Sequence, residues 1–114
     1  ALPQIGRGYN HMPNTAGKVH MFNRVLWGIE NHFHPQLTGI ACNTLSAITG
    51  QTDYFSKHPT KIRNIIDIGI QAFLKNHRVF AQTQIVLYGT ETTIGSFEYQ
   101  KRFLKSGIAK TNLI

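Results

Sequence analysis

Apolar positions Val19, Phe22, Val25, Leu26, Ile29 and Phe33 recur at the i, i+3, i+4, i+7 spacing. That rhythm predicts an amphipathic helix over residues 18–33 with a single buried stripe. Asn14 or Thr15 suits its start, and Pro35 stops it. Trp27 lies off the stripe, projecting with Asn23, Arg24 and Asn31 on the opposite face. A Trp among polar neighbours suits an anchor for a binding partner, which makes Trp27, Arg24 and Asn31 candidate contact residues. Cover by the chain's own N-terminal arm is the competing reading of the same ring.

A weaker helical pattern runs through Leu37, Ile40, Ala41, Leu45 and Ile48 over residues 36–49, with Gly50 as its stop. Residues 60–75 carry the most apolar pattern, with Ile62, Ile65, Ile66, Ile70 and Phe73 on one side. Ile68 and Leu74 widen that stripe, which predicts a helix at the centre of the core. Arg63 and Asp67 are spaced to pair at i, i+4. Residues 78–88 alternate like a strand, yet the chain offers no obvious second strand. A helix capped by Asn76 and stopped by Gly89 is the preferred reading there, with a single β-segment as the alternative. A last helix is predicted over 96–106, begun by Ser96 and ended by Gly107.

The fold class expected is therefore mostly α: a small helical domain of four to five helices with an extended N-terminal arm and a possible single β-segment at 78–88. Residues 1–17 read as the arm, because Pro3, Gly6, Gly8, Pro13 and Gly17 break any periodicity. Residues 18–107 form the domain and 108–114 a C-terminal tail.

Composition sharpens this picture. The chain has 114 residues, room for one domain. Charged residues make up only 15%, so an unusually large share of surface is free to be covered by something else. The net charge is +7, from 12 Lys and Arg against 5 acids, which favours an anionic partner. The basic groups fall around Lys57, Lys61 and Arg63, around Lys75 and Arg78, and along Lys101, Arg102 and Lys105. Of these, Lys57, Lys61, Arg63, Lys101, Arg102 and Lys105 are the candidate anion contacts, toward an anionic lipid surface or RNA phosphates. No apolar run is long enough for a transmembrane span. The chain begins with Ala1, consistent with a processed terminus and a mitochondrial location.

Candidate chemistry is sparse. His32 and His34 are the tightest pair among six histidines, but zinc needs three or four converging ligands. They are weak metal candidates at a helix end, where His commonly meets free carbonyls. Cys42 is the only cysteine, which excludes an internal disulfide. Its setting, GIACNTL, reads as the buried side of a small-residue helix, where a cysteine acts as a small hydrophobe. The five acids are scattered and suggest no carboxylate pair. No catalytic residue and no cofactor are expected.

The stretch from Tyr88 to Gly95, with its Tyr, Gly-Thr-Glu and Ile-Gly, resembles over eight residues the ending of mitochondrial ATP synthase subunit g; its glycine spacing differs, and no residue role is carried over. The function expected from the sequence is a non-catalytic, structural accessory subunit of a large assembly, foremost a mitochondrial energy-transducing complex (respiratory chain or ATP synthase). Its partners would be other protein subunits. A peripheral protein of a mitochondrial ribosome or other ribonucleoprotein is the alternative, and a small enzyme or metal-binding protein the third.

Overall fold

The computed structural model describes residues 14–114. The arm expected over 1–17 therefore lies, up to residue 13, outside the described residues. Helix α1 spans Thr15–Phe33. Asn14 caps it, its side-chain oxygen accepting from the Gly17 amide at 2.7 Å. The helix ends where His34 turns into the left-handed region, φ 50°. Its buried line is Lys18, Phe22 and Leu26, narrower than the expected stripe. Val25 and Phe33 are exposed instead.

The middle of the chain departs from expectation. The helix predicted over 36–49 is a strand followed by a shorter helix: β1 (Thr38–Ile40), then α2 (Asn43–Ile48). After a 3-10 turn at Thr49–Gln51 and the short α3 (Asp53–Lys57), the chain enters β2 (Ile62–Asn64). Only then does α4 (Ile65–Asn76) begin, so the first residues of the helix predicted over 60–75 are not helical. The reason is local. Pro59 opens a 3-10 turn, and Asn64 is extended so that its side chain can cap α4 at the Asp67 amide, 3.0 Å away. β1 and β2 pair in parallel, with Thr38 opposite Ile62, Gly39 opposite Arg63 and Ile40 opposite Asn64. The connection between them crosses through α2 and α3, as parallel pairing requires.

Residues 78–88 are not the preferred helix. They carry no helix, a turn falls at Ala81–Gln82, and Ile85 forms a parallel bridge with Leu113. The partner that the sequence seemed to lack is the chain's own tail. Asn112 fastens the arrangement: its side-chain amide donates to the carbonyls of Phe80, Ala81 and Thr83, at 2.9, 3.3 and 2.7 Å. The predicted last helix is split into α5 (Glu91–Gly95) and α6 (Glu98–Lys105). Phe97 makes the joint in the left-handed region at φ 59°, and Gly107, at φ 95°, follows the end of α6.

Six α-helices and one two-stranded sheet thus make up the described residues, in keeping with the mostly helical class. Their apolar side chains form two clusters. Phe22, Leu26, Ile40, Ile48, Tyr54 and Ile62 make the first; Ala47, Ile66, Ile70, Ile85 and Phe103 make the second. Helix α2 stands between them, giving Ile48 to one and Ala47 to the other. Both clusters therefore fix the place of α2 and of the residues that lead into it.

Candidate functional site

The residue at the junction of β1 and α2 is Cys42. It is exposed, extended at φ −107° and ψ 124°, and occupies the cap position of α2. The buried small-hydrophobe reading of Cys42 is thus corrected: once 38–40 is a strand, Cys42 no longer lies on a continuous helix face. Asn43 is exposed beside it, and Thr44 is buried beneath.

The opposite wall comes from the chain that enters α5. Thr90 caps that helix, its hydroxyl accepting from the Thr93 amide at 3.2 Å. The same hydroxyl lies 2.9 Å from Thr93 Oγ1 and 3.1 Å from Thr44 Oγ1. Three hydroxyls from two separate elements therefore share one network. Tyr99 on α6 donates to Asn43 Oδ1, and Lys18 on α1 donates to Thr92 Oγ1. Burial raises the Tyr99 phenol above its ordinary value, with Arg102 working against it. A groove of about 420 Å³ runs over this network, with Asn43, Thr90, Thr93 and Tyr99 on its polar side and Tyr88 and Ile94 on its apolar side. Gly89 matters to its shape, because a Cβ there would meet Thr93 and Ile94 at 3.4 Å.

A somewhat larger cleft, about 470 Å³, lies against α4 and is lined in part by Arg63, Asp67, Glu98 and Arg102. Asp67, Glu98 and Arg102 satisfy one another there, and Arg63 bonds to a backbone carbonyl. Burial pulls the Arg102 guanidinium down, but its bonds to Asp67 and Glu98 outweigh this and raise it. The smaller groove is lined by Asn43, the residue next to the exposed Cys42 thiol, and it is the better candidate site.

The residues singled out from the sequence lie elsewhere. Trp27 packs edge-on against Tyr54, ring centres 5.2 Å apart, with the Lys57 ammonium 5.7 Å above it. Arg24 and Asn31 are exposed on α1. Lys57 pairs with Asp53 at 3.4 Å, Lys61 with Glu30 at 2.7 Å and Lys101 with Glu98 at 3.5 Å. Arg102 joins Glu98 and Asp67, which corrects the expected Arg63–Asp67 pair. Arg63, in β2, bonds instead to the Ile62 carbonyl at 3.1 Å, and Lys105 is exposed. His32 stacks edge-on with Phe33, and His34 ends α1. No group of three or more metal-ligating side chains converges among the described residues. None of their helices is long and apolar enough to cross a membrane.

No family model and no curated protein matches the chain. Among solved structures it is similar to the crystal structure of glutamate racemase from Campylobacter jejuni subsp. jejuni. The identity is 27% and the TM-score 0.69. The match covers 92% of this chain and 40% of that one, so the chain spans well under half the length of the protein it resembles. The fold is similar to that of part of an enzyme.

That finding overturns the expected non-catalytic subunit and, with it, the mitochondrial-complex and ribosomal readings. Their sequence basis was low charge density and scattered basic residues. Four of the six basic residues named as anion contacts are instead held by the chain's own acids. The stretch compared with ATP synthase subunit g carries the threonine network of the groove. The signal that was available is Ala41-Cys42-Asn43-Thr44 directly after a short apolar run, paired with Thr90-Glu91-Thr92-Thr93 after another.

Proposed function

We propose that this chain provides one wall of an amino-acid racemase site, with glutamate as the substrate and the Cys42 thiol as a proton carrier. The observation that carries the reading is the likeness to glutamate racemase over nearly the whole chain. The geometry beside Cys42 supports it. Inverting an α-carbon requires a proton to leave one face and another to arrive on the opposite face. A thiol exchanges a proton near neutrality far more readily than a threonine hydroxyl or an amide. Cys42 is exposed and directly precedes Asn43, which lines the groove with neutral donors and acceptors suited to an amino acid's polar groups.

One cysteine serves one face. The chain contains no second thiol, so full inversion calls for an acid–base group other than a cysteine of this chain. The partial reaction needs only Cys42: removal of the α-proton and its return to the same face, which in heavy water replaces that proton with deuterium. The test is proton NMR of L- and D-glutamate incubated with the chain in D2O. Loss of the α-proton signal from one enantiomer, abolished by Cys42→Ser, is the expected result. No exchange from either enantiomer, or exchange that survives Cys42→Ser, would overturn the proposal.

A further inference from the structure

Lys18 is placed where a lysine is costly. It lies in the first turn of α1, the positive end of a helix, and that turn holds no acid. The residue is only 7% exposed. Its ammonium donates to the neutral hydroxyl of Thr92, and no carboxylate among the described residues pairs with it. Residues 1–13 contain no Asp or Glu at all. Of the five acids, Glu30, Asp53, Asp67 and Glu98 are bound to other cations, and Glu91 is exposed and forms no ion pair among the described residues. A buried cation without a counter-charge is unfavourable unless something else brings the negative charge. The hydroxyl that holds Lys18 belongs to the same turn as Thr90 and Thr93, two residues that line the groove.

We infer that Lys18 is the pairing group for a carboxylate of the bound ligand, set at the Thr92 edge of the threonine network. The inference rests on the site proposed above but not on proton transfer there. The neutral hydroxyls of Thr44, Thr90 and Thr93 orient a ligand, and Lys18 supplies the charge that selects an anionic one. The ligand class is a small mono- or dicarboxylate of amino-acid size, held by a charge-assisted hydrogen bond.

Glutarate is the probe, because it carries the carboxylates of glutamate and has no stereocentre. Titrated into the full chain, it should shift the NMR resonances of the Lys18 ε-methylene. Lys18→Met should weaken glutarate binding by about tenfold or more. The same variant should melt no lower than the wild type, since it removes an uncompensated charge. Unmoved Lys18 resonances, or equal binding by Lys18→Met, would overturn the inference. So would a variant that melts lower while binding glutarate as well as before. If Lys18→Met does not fold, the wild-type resonances decide alone. Glutarate binding without α-proton exchange would remove the Cys42 proposal and leave this one standing; exchange with unmoved Lys18 resonances would do the reverse.

Discussion

Thr44 and Thr90 stand forty-six residues apart in the chain, and their hydroxyl oxygens lie 3.1 Å apart. The bond ties the start of α2 to the residue that caps α5, so it joins the two walls of the groove. Thr90→Val removes that contact and the cap on the Thr93 amide together. Loss of a cap of this kind costs about 1 kcal/mol. Urea denaturation should show a loss of that size, and α-proton exchange should fall further than stability does. Thr90→Ser should restore both; a serine variant as impaired as valine would mean the methyl group, not the hydroxyl, matters.

Asn112 gives a second prediction. Its amide bonds three carbonyls of the 80–83 turn, and its backbone carbonyl accepts from Ile85 at 2.6 Å. Asn112→Leu removes three bonds made by a buried side chain, at roughly 1–3 kcal/mol for the site as a whole. Amide hydrogen exchange at Thr83 and Ile85 should quicken selectively. Uniform quickening across α1 and α4 would show that the turn does not open on its own.

The third concerns pH. Glu30 accepts from Lys61 at 2.7 Å and from Tyr54 at 2.9 Å. These two bonds, that from Lys61 first, hold the carboxylate below its ordinary 4.5. Burial, aided by the bond to Glu30, pushes the Tyr54 phenol from 10.0 up to about 12. A lowered acid contributes stability that is present above its ordinary value and lost as pH falls through the lowered one. A raised phenol contributes stability that is full below 10.0 and lost as pH climbs toward about 12. Thermal melts should therefore form a plateau between about 4.5 and 10. Tyr54→Phe should flatten the alkaline fall, and Glu30→Gln should shrink the acid one; an unchanged alkaline fall in Tyr54→Phe would assign it to other groups.

The fourth separates the two clusters. Ile66 is fully buried, so Ile66→Ala should cost about 2–5 kcal/mol. Trp27 is only partly buried and packs at the edge of the first cluster. Its replacement by Ala should fall below the roughly 3–5 kcal/mol typical of a large core aromatic. Chemical denaturation of both variants measures the order, and a Trp27→Ala loss as large as that of Ile66→Ala would place Trp27 in the core proper.

Periodicity revealed α1 and most of α4 because each offers several turns of repeating apolar residues. It failed at Thr38–Ile40 and Ile62–Asn64, where strands of three residues are too short to display alternation. Those strands exist because they pair with each other across twenty-four positions, a relation no local window contains. Missing β1 carried a second error with it. With 36–49 taken as one helix, Cys42 fell on the inner face, although the strand end turns it outward. Lys18 was hidden for a different reason: it stands on the buried line of α1, and a lysine at such a spacing reads as part of the polar face.

The groove is joined by contacts that bridge long stretches of chain: 46 residues between Thr44 and Thr90, 56 between Asn43 and Tyr99, and 74 between Lys18 and Thr92. Closing such spans is entropically expensive and slow compared with winding a helix. A refolding chain therefore regains its helical signal first and its assembled groove last. Until α5 and α6 dock, the start of α2 lacks the partners that Asn43 and Thr44 find in the folded chain.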